Sequence, residues 1–423
     1  VDQNIAIMDE AIASKMMQPR VVADVVTEQI AAQMAQKAEE TALLNAFRAF
    51  PSNIAKTDQQ KLRAEAAEAY AKQFTPAWHK LHEYMATTYR QNVRPADSLS
   101  SIPGGHDSYQ ILIRRLTTTN MKPGEIHALG EREVKRIEAE MLSVIKETGF
   151  SGTVAAFQEK LAASPDQHFS SKEQMLAYCR NIAKIIEPEL PKQFRQIPKL
   201  LYGVRAIPSD REAASATNAQ GPLADMSAPG WLNLNTYLPE KQFKYTMEAL
   251  VLHEAVPGHV YQSSLSVGQE AMPAIRRYYR NSAYGEGWGL YAESLGSQLG
   301  VYRDPYSRFG QLALERWRAV RLVVDTGIHE IGWTRDQAVE YFRAHAPEES
   351  IAEVDRYISY PAQALAYKIG ELRIKDLRNR AERQLGPKFD IREFNDAILR
   401  GGALPLDLLT EHINAFINTA AKN

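Results

Sequence analysis

Two histidines and a glutamate fall within seven residues, at His253-Glu254-Ala255-Val256-Pro257-Gly258-His259. Neutral imidazoles with a carboxylate nearby are the donors of a catalytic zinc site that keeps one coordination position open. A Glu beside such a ligand is the base that takes the proton from an attacking water. The chain has three His-Glu pairs, at 82–83, 253–254 and 329–330, and only the second is followed closely by another histidine. Its spacing is unusual. Two ligands on one helix face lie four residues apart, whereas on a straight helix six residues turn the second side chain about 120° away and ~9 Å along the axis. Pro257 removes a helical N–H and Gly258 tolerates unusual dihedrals. The expectation is therefore a helix that breaks at Pro257-Gly258 and brings His259 back toward His253. The bland alternative is a helix stopped at Pro-Gly, with two unrelated histidines.

A third ligand is expected from the next helical segment, Arg280 to Glu293, which reads RNSAYGEGWGLYAE. Glu286 and Glu293 are seven apart and share a helix face. Glu286 is read as the ligand and Glu293 as the residue that orients a histidine from behind. Gly285, Gly287 and Gly289 each cost a helix interior about 1 kcal/mol relative to Ala, which points to close packing against another backbone or a bound group. Packing glycines beside solvated glutamates are the alternative.

These residues need a scaffold, and most of the chain has helical periodicity. Apolar residues at Val22, Val25, Val26, Ile30 and Met34 form one stripe of a helix expected over 21–50. A second helical region runs over 57–89 with Pro76 inside it. A third covers 123–148, with Pro123 suited to the first turn and Gly149 as a stop. Further helices are expected around 171–190, 239–256, 273–300, 305–330, 334–345, 361–385 and 404–420. Between residues 199 and 237 the pattern lapses into short extended segments, read as a small antiparallel sheet next to the metal-site helix. The fold class is mostly α (α+β), one continuous helical body over 1–423 with its metal core at 239–300. The 50 basic and 51 acidic residues leave a net charge of -1, so no global field attracts nucleic acid. No apolar run approaches the ~18 residues of a transmembrane helix. Cys179, the single cysteine, excludes a disulfide framework and a multi-thiolate zinc site.

The motif His-Glu-x-x-Pro-Gly-His followed by Glu-Gly-Trp-x-Leu-Tyr-x-Glu resembles the bacterial domain of unknown function family 885, as do the segments 108–141, 321–338 and 360–370. That family is regarded as related to gluzincin-type zinc peptidases with a helical body like angiotensin-converting enzyme and the oligopeptidases. The Glu-Gly-Trp-Gly segment also looks like the Asn-Glu-Gly-Phe-Ala third-ligand segment of zinc aminopeptidases. The resemblance implies a zincin-like body, one zinc per chain held by His253, His259 and Glu286, Glu254 as general base, and a peptide substrate. It further implies that the chain corresponds to the C-terminal two-thirds of a longer family member. The part ahead could form a wall of the substrate channel or carry a lipid anchor in the bacterial envelope or periplasm.

Hydrolysis of a peptide passes through a tetrahedral oxyanion that a positioned donor stabilises, and related peptidases draw it from a distant Tyr or His. Tyr360 and Tyr367 are seven apart and share a face if Pro361 begins their helix; Tyr367 is preferred, against an equal reading as core aromatics. Arg321, Asp325 and His329 follow at spacings of four. They are either a modest ladder of charge pairs or a functional face, with Asp325 near the zinc and His329 as a transition-state donor. In WLNLNTY, Asn233 and Asn235 share a face, and an edge strand there would pair with an extended substrate; a structural hairpin is the alternative. The run RRYYR at 276–280 reads as a solvated helix face rather than a carboxylate clamp. Three functions remain in view: a zinc metallopeptidase for short peptides, a zinc hydrolase of another amide or ester, and a non-catalytic envelope protein that keeps the metal. The base Glu254 speaks against the third, because a structural site has no use for it.

Overall fold

The computed structural model describes residues 1–199, 201–209, 211–223, 225, 227–269 and 271–422. Its contacts fall into two compact units. The first comprises Val1–Tyr109, Ile328–Ala338 and Ala352–Ser359; the second comprises Gln110–Gly327, Val339–Ile351 and Tyr360–Asn423. The sequence, read as one continuous body, does not announce this division, because each unit is assembled from three separate stretches of chain.

The first unit is helical. Its helix Arg20–Met34 ends well short of residue 50 and buries Ala23 and Ile30, not Val25, against Met85 and Tyr89. The expected helix over 57–89 forms with two π-turns, Tyr70–Phe74 and Met85–Tyr89. The first accommodates Pro76: the wider turn precedes the proline, which then sits in the opening turn of Thr75–Tyr84, where its missing N–H costs least.

The second unit carries the candidate chemistry on seven helices and a sheet. We label them α1 (Pro123–Glu147), α2 (Lys172–Ile186), α3 (Met247–Glu254), α4 (His259–Gly268), α5 (Ser282–Glu293), α6 (Pro305–Thr326) and α7 (Ala366–Leu385). Helix α6 is buried along nearly its whole length. It packs on α1, whose apolar face presents Ile126, Val134, Ile137 and Met141. Helix α3 lies against α2, α5 and α6, and Tyr178 of α2 donates to Glu248 of α3 at 2.6 Å. Helices α5 and α7 meet backbone to backbone: a Cβ on Gly287 would lie 2.5 Å from the Gly370 Cα.

The sheet is mixed rather than antiparallel. Its strands β1 (Tyr202–Ala206), β2 (Asn218–Gln220) and β3 (Gly230–Leu234) lie in the order β1-β3-β2, with β1 parallel and β2 antiparallel to β3. Alternation along GWLNL turns Leu232 and Leu234 into the core. Alternation specifies which face is buried and carries no information on strand direction, so parallel and antiparallel pairing read alike in the sequence. Strands β2 and β3 pack beside α4, as expected of a sheet next to the metal-site helices. Leu200, Asp210, Ala224 and Met226, within the expected β region, lie outside the described residues.

Candidate metal centre

The helix that carries His253 stops at Glu254, and the next begins at His259. Between them Ala255 leaves helical dihedrals (φ -101°, ψ -94°) and the Val256-Pro257 bond is cis. The Tyr261 N–H reaches back to the Ala255 carbonyl at 3.1 Å, and the Trp288 indole N–H donates to the Pro257 carbonyl at 2.8 Å. Gly258 is required by space: a Cβ there would lie 1.8 Å from the His253 carbonyl oxygen. The chain thus folds back on itself and sets the His253 and His259 rings 4.8 Å apart and perpendicular.

Glu286, on α5, faces both imidazoles. Its Oε2 lies 3.5 Å from His253 Nε2 and 3.2 Å from His259 Nε2. The three donor atoms fall within 4.8 Å of one another. Two ligands at ~2.0–2.1 Å from one zinc in tetrahedral geometry stand about 3.4 Å apart, so the two carboxylate–imidazole separations fit such an ion. Two nitrogens and one oxygen with a remaining position open are a donor set for zinc. His253 is buried, while the side chains of His259 and Glu286 are 20% and 24% exposed, which leaves the open side toward solvent.

The electrostatics of the metal-free cluster are those of a hydrogen-bonded triad. Burial pushes the His253 imidazole down, but the carboxylates of Glu286 and Glu293 outweigh it and lift the group to about 9. Burial likewise raises Glu286, and the two imidazoles more than reverse this, holding it well below the usual carboxylate range. Glu254 sits at the end of α3, and burial raises its carboxyl despite the pull of His259 and His253. A weakened acid of this kind is a better proton acceptor than a free carboxylate.

Behind the cluster, His253 Nδ1 hydrogen-bonds Glu293 Oε1 at 2.8 Å. Glu293 is fully buried, Arg318 Nη2 of α6 lies 3.5 Å from the same oxygen, and the Tyr302 hydroxyl donates to the Glu293 backbone carbonyl at 2.8 Å. Gly289 makes room for the ring, since a Cβ there would lie 2.7 Å from His253 Cε1. Tyr367 stacks alongside His253 with ring centroids 6.3 Å apart and 19° between planes, and the Arg321 guanidinium lies 4.3 Å over the Tyr367 ring. Asp325 is fully buried and accepts the Ala362 N–H at 3.0 and 3.1 Å, which holds the loop leading to Tyr367.

Four expected site residues are placed elsewhere. His329 is in the first unit with both ring nitrogens engaged: Nδ1 accepts from the Leu99 N–H at 3.0 Å and Nε2 faces the Tyr357 carbonyl at 2.9 Å. Burial pushes it down to about 4. It is a satisfied core histidine, not a transition-state donor. The α-helix ends at Thr326 and a π-turn covers Gly327–Ile331, where a four-residue spacing no longer defines one helix face. Tyr360 is 52% exposed and does not share a helix with Tyr367. A left-handed Ala362 (φ 67°) and a 3₁₀ turn intervene, so α7 begins only at Ala366. Asn233 lies on the central strand, not an edge, and its amide is used by Arg205 and Asn218. Asn235 lies beyond the strand and ties down the loop at Glu212 and Ser215. In RRYYR, Arg276 and Arg277 donate to the Gly401 and Val267 carbonyls.

Sequence reasoning did not single out Arg318 or Tyr302. The signal for Arg318 was present: in the second half of the helix, among Ala319, Val320, Leu322, Val323 and Val324, it repeats with Arg321 and Asp325 at spacings of three and four, a polar line where a core face should be.

Fold and site together define a helical protein with a small mixed sheet and a two-histidine, one-glutamate cluster backed by a buried carboxylate. Residues 1–413 match the family described as bacterial protein of unknown function (DUF885), and the chain belongs to that family. Among solved structures it is similar to a protein from Colwellia psychrerythraea described as a putative lipoprotein, with 29% identity and a TM-score of 0.94 over 98% of this chain and 73% of that one. A second protein, from Shewanella oneidensis and described in the same terms with unknown function, shares the fold at 17% identity and a TM-score of 0.70, over 93% of this chain and 73% of its own. No curated protein matches. No helix among the described residues is long and apolar enough to cross a membrane.

Proposed function

We propose that the chain is a zinc-dependent metallopeptidase acting on short peptides, with one zinc per chain. The observation that carries the reading is the convergence of His253, His259 and Glu286 on one point, with Glu254 immediately after a ligand in the sequence. Zinc held there would supply Lewis acidity and a water that loses its proton near neutral pH. Glu254 accepts that proton, and its raised carboxyl suits it to pass the proton on to the leaving amine. Tyr367, whose ring flanks His253, offers its hydroxyl to the carbonyl oxygen as charge develops on it. Glu293 accepts from His253 Nδ1 and so leaves Nε2, 3.5 Å from Glu286 Oε2, as the atom that would hold the metal. The non-catalytic reading has no use for a base at Glu254. A hydrolase of another amide or ester would use the same groups, since ligands do not choose a substrate. The lipoprotein descriptions of the two structural relatives support a place in the bacterial envelope.

The test is cleavage of a mixed peptide library by the zinc-loaded chain. Cleavage that disappears with a chelator and in Glu254→Gln, while Glu254→Gln retains its zinc, is the expected result. Cleavage unaffected by either change, or none by the zinc-loaded wild type, overturns the peptidase reading.

A further inference from the structure

Helix α6 touches the centre without contributing a ligand to it. Arg318 reaches Glu293, while Arg321 and Asp325, one turn apart, both reach the segment 360–367. The Asp325 carboxylate takes the Ala362 N–H on both oxygens, at a residue held in the left-handed region (φ 67°). A non-glycine residue adopts that conformation only where its surroundings over-determine it, and a charge-assisted bond in a fully buried position is such a determinant. Five residues on, the Tyr367 ring has two neighbours: His253, nearly parallel to it at 6.3 Å between centroids, and the Arg321 guanidinium, 4.3 Å from its centroid. Arg321 is itself fixed, 3% exposed and 3.9 Å over the Trp317 ring. A desolvated cation over an aromatic face is attracted to it, and the contact fixes the ring plane as well as its distance.

We infer that Arg321 and Asp325 are positioning residues that hold Tyr367 against His253: Asp325 sets the turn that leads into α7, and Arg321 pins the ring. The pair converts a half-buried tyrosine at a helix start into a group with one direction. The kinetic part of the inference rests on the peptidase reading; the structural part does not.

The experiment therefore uses two readouts on the zinc-loaded full chain. Selective labelling of tyrosine rings, with the Tyr367 resonance assigned by its loss in Tyr367→Phe, reports ring position by NMR whatever the protein's activity. In Arg321→Met and Asp325→Asn the Tyr367 resonance moves to a new position, and Arg321→Lys, which keeps a cation, returns it toward the wild-type one, with zinc at one per chain throughout. A Tyr367 resonance unmoved in both variants, or loss of the zinc from them, overturns the inference. If Arg321→Met does not fold, Asp325→Asn decides by the same readout. On a peptide found by the library screen, kcat falls roughly 100-fold in Arg321→Met with KM little changed. Adding Tyr367→Phe to it produces no further fall, because the two act through one group; a multiplicative fall would show that Arg321 acts independently.

Discussion

At the scale of single residues, carboxylates and imidazoles fix one another's charge. His253 is raised to about 9 in the metal-free chain by Glu286 and Glu293, against its burial. A histidine whose folded value is raised adds stability that is complete below its unfolded value of about 6.5 and is lost as pH rises through the folded one. The metal-free protein should therefore lose on the order of 2 to 3 kcal/mol between about pH 6.5 and 9, seen as a falling denaturation midpoint, and His253→Gln should flatten that slope. A midpoint independent of pH over this range would contradict the triad. Glu293 is the second test: Glu293→Gln should weaken zinc binding by roughly 10- to 100-fold, measured by competition with a chromogenic chelator, and unchanged affinity would remove its role. The clustering of His253, His259 and Glu286, with Glu293 behind His253, was legible in the sequence because it is carried by residue type and short spacing. His329 and Asn233 were misread for the converse reason. Their side chains are spent on partners distant in sequence, such as Leu99 and Asn218, which no local pattern shows.

At the scale of elements, three events in the backbone decide the site: the break between α3 and α4, the glycine face of α5, and the start of α7. Pro257-Gly258 made the first legible. The glycines of α5 were visible as an anomaly, but their separate uses were not. Gly289 faces the His253 ring, Gly287 faces Gly370, and Gly285 meets nothing closer than Gln262 Oε1 at 3.9 Å. Gly289→Ala should thus displace His253 and lower zinc affinity, whereas Gly285→Ala should leave the affinity unchanged and gain up to about 1 kcal/mol of helix stability. Equal effects of the two, by zinc titration and thermal unfolding, would mean that the close approach to His253 is not what the glycine serves. The start of α7 was illegible: Pro361 invites a first turn, and only the buried Asp325 reveals that the chain makes a left-handed step before the helix begins.

At the scale of the whole molecule, the mostly helical class follows from periodicity along the chain, while strand direction and the division into two units depend on contacts between distant stretches. The centre is confined to the second unit, built from α3, α4 and α5 with α6 behind them. Metal should therefore stabilise the chain by mass action, by about 2.7 kcal/mol at a hundredfold excess over the dissociation constant, and release protons on binding as His253 gives up its charge. The most direct test is zinc stoichiometry by elemental analysis after matched loading of wild type and His259→Ala. One zinc per wild-type chain and loss of tight binding in the variant are the expected result. No zinc on the wild type, or one retained undiminished by His259→Ala, would contradict a site assembled by the fold-back at Pro257-Gly258.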